Sequence, residues 1–244
     1  MSRSLAFLYG VVSYFVFLIA FLYAIGFVGD LVVGKTIDAP PRVTGRGAAI
    51  VIDVLLLGLF AVQHSVMARP GFKKWWAGII PKPIERSTYV LLASLVLLLL
   101  YWKWQPLPAV VWSVRNGTAA TVLWVLFWLG WFIVLLSTFL INHFDLFGLR
   151  QVWFHQRGVE YRAPEFKKRF LYGLVRHPIM LGFMIAFWAT PLMTAGHLLF
   201  AVMTTGYILV ALQFEEHDLV STHGEAYMQY QREVSMLLPI PKRR

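Results

Sequence analysis

Apolar and polar stretches alternate along the chain with the spacing of membrane-spanning helices. Four long apolar runs occupy residues 5–28, 48–66, 87–104 and 119–141. Each is long enough to cross ~30 Å of hydrocarbon at ~1.5 Å per residue. Two shorter apolar segments, 179–191 and 197–214, follow with a tight turn at 194–196 between them. The pattern therefore predicts four full spans and a C-terminal helical hairpin, with a mixed tail from Glu215.

The composition favours an integral membrane protein of the all-α class. Hydrophobic residues make up 59% of the 244 residues and charged residues 14%, whereas about a quarter of a soluble domain is charged. The polar stretches are too short to fold alone. We therefore predict a polytopic membrane helical bundle that forms a single domain over residues 1–244.

The net charge of +10 follows the predicted spans and does not indicate a nucleic-acid partner. Most of the 22 Lys and Arg residues lie before the first span, in loops 67–86 and 143–177, and in the tail. Positively charged loops mark the cytoplasmic side. We predict a multi-pass protein of the cell membrane, with cytoplasmic N- and C-termini and the lipid bilayer as its partner.

Two charged segments border the hairpin. Arg176-His177-Pro178 precedes it and Glu215-Glu216-His217-Asp218 follows it. A hairpin would bring these segments together, and charges at a membrane need partners. They form either an interfacial ion-pair cluster or a pocket for a ligand that carries both signs of charge.

Other polar groups interrupt the apolar runs. The turn Asn142-His143-Phe144-Asp145 ends the fourth run, and His64 lies inside the second. Each has a structural interpretation, as a helix cap or an interhelical hydrogen bond. The chain has no cysteine, which excludes thiolate nucleophiles and disulfides. Its histidines lack metal-binding spacing, so no metal site is predicted.

An ordered set of residues covers the C-terminal third: Tyr172, Arg176-His177-Pro178, Gly182, Glu215-Glu216, Leu219, Gly224, Tyr227, Tyr230, Val234 and Pro239. In this order the set resembles the membrane methyltransferase family that includes isoprenylcysteine carboxyl methyltransferase. The resemblance implies S-adenosyl-L-methionine as cofactor and a cytoplasmic cofactor-binding tail. The cofactor-binding residues that it implies are Tyr172, Leu174, Arg176, His177, Pro178, Gly182, Glu215 and Glu216.

Two departures separate the chain from the prenylcysteine enzymes. Ile179-Met180 stands where the family commonly has a tyrosine, and Arg232-Glu233-Val234-Ser235 stands where it tends to have Arg-Val-Pro. If that arginine orients a carboxylate in the relatives, its displacement argues against a carboxyl acceptor.

Three further blocks, 63–69, 85–89 and 142–153, resemble a bacterial branch of the family that methylates a small thiol. They imply a four-span substrate half, 1–142, and a cofactor half, 143–244, with methanethiol as acceptor and dimethyl sulfide as product. Membrane proteins of the denitrification-accessory type share part of the second block. A methyltransferase for a larger lipid-like or isoprenylcysteine-type acceptor and a non-enzymatic accessory protein are therefore the alternatives.

The expected chemistry assigns roles to the remaining candidates. We predict His143 or Asp145 as the general base, with His64 as the alternative and Arg150 as the group that stabilises the thiolate. The predicted substrate-binding residues are Asn142, Phe144, Phe147, Trp153 and Tyr89.

Overall fold

The computed structural model describes residues 1–41, 44–163, 168 and 170–240. The last four residues of the predicted tail lie outside these ranges. The chain divides into two compact units: unit 1 comprises 1–108 and 142–165, and unit 2 comprises 109–141 and 166–244. The predicted functional division after residue 142 stays a prediction.

The described residues form helices joined by short connections. In chain order the elements are α1 (Arg3–Gly29), α2 (Arg46–Ala68), α3 (Pro70–Trp76), α4 (Lys82–Lys103), β1 (Val110–Ser113), α5 (Gly117–Ile141), α6 (His143–Leu146), α7 (Leu149–Arg157), α8 (Leu171–Leu174), α9 (Pro178–Trp188), β2 (Leu192–Thr194), α10 (Ala195–His223) and α11 (Glu225–Glu233).

Among the described residues, five helices are long and apolar enough to cross a membrane: α1, α2, α4, α5 and α10. The first four coincide with the four predicted spans. The first arm of the hairpin, α9, is short as predicted, with 11 residues. The second arm differs from the prediction, because α10 has 29 residues and continues through Glu215 and Glu216. No proline interrupts it, so the helix carries its polar end as one continuous rod.

The all-α prediction is correct for most of the chain and wrong at one place in unit 2. The strands β1 and β2 pair antiparallel, with Val110 opposite Thr194. Prolines 106 and 108 end the preceding helical sequence, and the residues after them are β-branched or aromatic, which favours an extended pair. The Thr194 side chain then caps α10 by accepting from the backbone N–H of His197 at 3.1 Å.

In unit 1, α1 packs against α4 and α7. Gly10 permits this approach, because a Cβ there would lie 2.5 Å from a methyl group of buried Val152. Gly148 separates α6 from α7 with a φ of +87°, and a Cβ there would lie 2.6 Å from the Ser87 hydroxyl. Only glycine suits this turn without strain.

In unit 2, the main packing contact joins α5 and α9. A Cβ on Gly130 would lie 2.6 Å from the backbone nitrogen of Ala186, and one on Gly182 would lie 2.7 Å from the carbonyl of Gly130. Small residues at such contacts let membrane helices approach closely. The approach holds α9, and with it the Arg176-His177 segment, against α5.

Candidate functional site

The Arg176-His177 segment of unit 2 is held by the end of the chain. Val175 and Ser235 form a parallel bridge. The backbone N–H of Arg176 donates to the carbonyl of Ser235 at 2.9 Å, and that of His177 donates to the carbonyl of Met236 at 3.1 Å. Both side chains are therefore positioned by backbone hydrogen bonds to residues almost sixty positions later.

A two-point ion pair joins Arg176 to Glu216 on α10. The guanidinium donates from Nε to Oε1 at 2.6 Å and from Nη2 to Oε2 at 2.8 Å. The side chains are 7% and 12% exposed. Nη1 donates to the carbonyls of Val234 at 2.5 Å and Gln231 at 3.2 Å. The arginine thus ties α10 to the tail with charge-assisted bonds in a mostly buried setting.

The Glu216 carboxylate accepts from three further donors. They are the His177 ring nitrogen Nε2 at 2.9 Å, the Tyr227 hydroxyl at 3.2 Å and the Gln231 amide at 2.7 Å. A carboxylate offers about four lone-pair sites, so these donors and Arg176 use its capacity. Since Nε2 faces an acceptor, it carries the proton and donates to Glu216.

Glu215 has a different environment from its neighbour. Successive residues on a helix point about 100° apart, so the two carboxylates meet different surroundings, although both lie near the His177 ring. The Glu215 side chain is 46% exposed, and its Oε2 lies 3.9 Å from Nδ1 of His177. Glu215 is therefore the exposed carboxylate of this cluster, and Nδ1 is the ring nitrogen of buried His177 that faces it.

Tyrosines form the wall of the cluster. The Tyr230 hydroxyl donates to the carbonyl of Tyr172 at 2.6 Å, and the Tyr172 hydroxyl donates to the carbonyl of Ser137 at 3.4 Å. Burial raises the pKa of Tyr230 to about 12. Burial and the Glu216 carboxylate raise the pKa of Tyr227. These hydroxyls keep their protons at neutral pH and act as donors.

The other residues with a predicted cofactor role are dispersed. Pro178 is buried at the first position of α9, Leu174 is 57% exposed at the end of α8, and Gly182 lies at the α5 contact. None of them adds a polar group to the Arg176–Glu216 cluster. Their cofactor role stays a prediction.

In unit 1, the turn after α5 is organised around Asp145. Asn142 caps α6, since its Oδ1 accepts from the backbone N–H of Asp145 at 3.2 Å. The Asp145 carboxylate accepts from the Tyr161 hydroxyl at 2.8 Å and from Arg150 at 3.4 Å. Burial, the hydrogen bond to Asp145 and its charge raise the pKa of Tyr161 to about 12. Asp145 is thus held by a neutral donor and a cation.

His143 is buried beside Tyr14 of α1. Its Nε2 lies 2.9 Å from the Tyr14 hydroxyl oxygen, and 5% of the residue is exposed. Its ring contacts the aromatic rings of Phe17, Phe144 and Phe147. Burial lowers the pKa of His143, so its imidazole is neutral at pH 7 and has a lone pair to accept a proton.

His64 forms a second tyrosine–histidine pair in unit 1. Its ring nitrogens lie 2.9 and 3.1 Å from the Tyr89 hydroxyl oxygen, and Phe60 stacks on the ring. The Arg86 guanidinium lies 5.1 Å from the centre of the Tyr89 ring and donates to the carbonyl of Leu146 at 2.7 Å. Arg86 therefore links this pair to the Asp145 turn.

A cavity of about 400 Å³ opens beside the same turn. It is lined by Phe7, Val11, Asn142, Phe144, Leu149, Arg150 and Trp153. Four of these were predicted from the sequence as site residues. Phe147 does not line it and stacks on Phe17 at 3.7 Å between ring centres, and Tyr89 is engaged with His64.

Several hydrogen-bonding residues of the Arg176–Glu216 cluster and of the Asp145 turn could not be predicted from the sequence. Tyr14, Tyr161 and Gln231 carry no local signal, because each acquires its partner through the fold. Phe7 and Val11 read only as part of the apolar first span. No spacing in the sequence indicates the tyrosine–histidine pairs, since Tyr14 and His143 are 129 positions apart.

Comparison with known proteins places this geometry in context. The family described as NnrU protein matches residues 53–233. The chain is 62% identical to Methanethiol S-methyltransferase of Mycobacterium tuberculosis, covering 100% of this chain and 99% of the relative. It is 56% identical to Methanethiol S-methyltransferase 2 of Bradyrhizobium diazoefficiens, covering 98% and 91%. It is 30% identical to Nurim of Bos taurus, covering 70% and 68%. No solved structure matches the chain.

Proposed function

The chain belongs to the NnrU family and to the methanethiol S-methyltransferases within it, and from that premise we propose that it methylates methanethiol with S-adenosylmethionine. The products are dimethyl sulfide and S-adenosylhomocysteine. The observation that carries the proposal is the similarity to enzymes of that name over nearly the whole chain. The long apolar helices make it a multi-pass membrane enzyme.

The donor site in this proposal is the Arg176–Glu216 cluster of unit 2. S-adenosylmethionine carries an ammonium group and two ribose hydroxyls, which need acceptors, and a carboxylate, which needs donors. The half-exposed Glu215 carboxylate and Nδ1 of His177 fit the donor groups of such a ligand. When bound, the cofactor would supply the methyl group from its sulfonium.

Arg176 and Glu216 act as the frame of that site. Their charges compensate each other, and their hydrogen bonds are made to the chain itself. Glu216 holds the His177 ring in one tautomer, in the way that an outer carboxylate orients a functional histidine. We therefore assign ligand contact to Glu215 and His177, and positioning to Arg176 and Glu216.

The acceptor chemistry in this proposal belongs to unit 1. A simple alkyl thiol has a pKa at or above the ~8.5 of cysteine, so most of it is protonated at pH 7. A neutral histidine accepts that proton, and general base catalysis contributes roughly 10²–10⁴-fold. We assign this role to His143, whose buried imidazole pairs through Nε2 with the Tyr14 hydroxyl. His64 is the alternative base.

Arg150 and Asp145 complete the proposed acceptor machinery. Arg150 lines the cavity, and we assign to its guanidinium the positive charge that favours thiolate over thiol. Asp145 orients Arg150 through the contact at 3.4 Å and is itself held by Tyr161. Asp145 thus acts on the thiolate through Arg150.

A direct assay tests the proposal. The purified protein with methanethiol and S-adenosylmethionine is expected to yield dimethyl sulfide by headspace gas chromatography, with an equal amount of S-adenosylhomocysteine. His143→Ala should lower kcat by about 10²–10⁴ and leave cofactor affinity unchanged, while His155→Ala in α7 serves as matched control. If His64→Ala lowered kcat and His143→Ala did not, the general base would be His64.

The assay also separates the alternatives. Methylation of lipid-like acceptors without methanethiol turnover would indicate the larger-acceptor enzyme. Failure to bind S-adenosylmethionine in calorimetry would indicate the non-enzymatic accessory role that part of the resemblance suggested. Either result would reject the proposed function.

A further inference from the structure

The cavity in unit 1 is larger than the proposed acceptor requires. Methanethiol has two non-hydrogen atoms, whereas a cavity of about 400 Å³ lies in the range of pockets that hold far larger molecules, ~300–1,000 Å³. The proposed reaction therefore leaves most of this space without an occupant.

The walls of the cavity are built from apolar side chains on two helices. Phe7 and Val11 lie one turn apart on α1, and Leu149 and Trp153 lie one turn apart on α7. Side chains four positions apart share one helix face, so the two pairs line a continuous apolar surface. The approach of α1 to α7 at Gly10 holds this surface in shape.

One cation accompanies the apolar walls. Arg150 and Asn142 are the two polar residues that line the cavity. The Arg150 guanidinium contacts the Asp145 carboxylate at 3.4 Å, and the Asn142 side chain caps α6. An apolar cavity with one arginine in its wall suits a ligand that has a hydrocarbon body and one anionic atom. A thiolate with a longer hydrocarbon group has this chemistry.

We propose that this cavity binds the hydrocarbon groups of apolar thiols larger than methanethiol, so that the enzyme also methylates alkyl thiols such as butanethiol. This inference rests on the proposed function. The thiol gives its proton to the general base, its sulfur forms a bond to the methyl carbon, and the bond from that carbon to the cofactor sulfonium breaks. The products are the methyl thioether and S-adenosylhomocysteine.

The experiment measures KM for a series from methanethiol to hexanethiol. Burial of each CH₂ group is expected to lower KM about fourfold until the cavity is filled. Val11→Trp fills the cavity and should flatten this gradient, lowering kcat/KM for butanethiol relative to methanethiol at least about tenfold. The matched control is Val12→Trp, because Val12 is 50% exposed on the same helix and does not line the cavity. Thiols partition into detergent to the same extent with every variant. The readout is therefore the difference between variants and wild type in how KM changes with thiol chain length.

Leu149→Ala provides a second variant if Val11→Trp does not fold. It enlarges the cavity, and the gradient should then extend to longer thiols than in the wild type. Methanethiol turnover without turnover of any longer thiol would overturn this inference and leave the proposed function intact. Equal gradients in Val11→Trp, Leu149→Ala and wild type would assign the cavity to another occupant, such as a lipid chain. Absence of all turnover would reject both.

Discussion

The neighbouring residues Glu215 and Glu216 of α10 can be tested by the same substitution. Glutamine at position 216 should lower the stability of the protein, whereas glutamine at position 215 should lower its affinity for the cofactor. Glu216→Gln keeps the side-chain shape but removes the charge that compensates buried Arg176. The side chains of this pair are 7% and 12% exposed, so solvent does little to screen the loss. Glu215→Gln makes the same change at a side chain that is 46% exposed.

The magnitude follows from the difference in burial. Removing one partner of a buried ion pair costs about 3–5 kcal/mol, because the other charge is left uncompensated. The amide introduced by Glu216→Gln would also present donors to groups that now donate to the carboxylate. A substitution at an exposed position usually changes the free energy of unfolding by less than about 0.5 kcal/mol. With about 2–4 °C of Tm per kcal/mol for a chain of this size, the expected shifts are on the order of 10 °C and about 1 °C.

Thermal unfolding of the detergent-purified variants, followed by tryptophan fluorescence, measures this difference. Calorimetric titration with S-adenosylmethionine at low temperature supplies the second readout. Glu216→Gln should unfold at lower temperature, whereas Glu215→Gln should keep its Tm and lose affinity. The double variant Arg176→Gln with Glu216→Gln should recover part of the lost stability, since it leaves no buried charge.

A Glu216→Gln variant that unfolded within about 2 °C of the wild type would show that Arg176 and Glu216 are not a coupled buried pair. A Glu215→Gln variant with normal cofactor affinity would remove Glu215 from the donor site while leaving the frame unaffected.

Three further predictions concern other parts of the chain. Burial lowers the pKa of His143 below its ordinary 6.5, so the imidazole stays neutral as the pH falls towards that value. The acid limb of the kcat/KM profile should therefore lie below pH 6.5 and should disappear in His143→Ala. An acid limb above pH 7 would contradict this. Gly130→Ala should destabilise unit 2 by about 1–3 kcal/mol, because its Cβ would meet the backbone of α9, whereas Gly206→Ala, with open space around it, should be neutral or slightly stabilising in the same thermal assay. Since the chain has no cysteine, a single cysteine introduced as Ser2→Cys or Gly34→Cys reports the orientation of the chain in the membrane. An impermeant maleimide added to intact cells should label Gly34→Cys and not Ser2→Cys. Labelling of Ser2→Cys alone would show that the N-terminus is outside, contrary to the predicted topology.

The positions of the long apolar helices were predictable because they depend on local sequence. A helix satisfies its own backbone hydrogen bonds, so an apolar run of sufficient length crosses the bilayer whatever its neighbours are. The ends of α1, α2, α4 and α5 accordingly fall within a few residues of the predicted limits. The length of α10 was underestimated, because a change from apolar to polar residues ends a span without ending a helix.

The charged residues beside the hairpin were also identifiable from the sequence, since an apolar surrounding makes each charge conspicuous. Which of the two glutamates pairs with Arg176 was not identifiable from the sequence. Glu215 and Glu216 are identical residues in adjacent positions, and only the rotation of α10 decides which of them meets Arg176, forty positions earlier.

The sequence by itself determined which segments form long apolar helices and which polar residues are candidates for the chemistry, because both follow from composition along a short stretch. The tertiary structure alone decided the partners: Tyr14 for His143, Tyr161 for Asp145 and Glu216 for Arg176. A hydrogen bond requires its two atoms to lie within about 3 Å of each other. Residues distant in sequence reach that separation only when helix packing sets the distance and rotation of the helices that carry them.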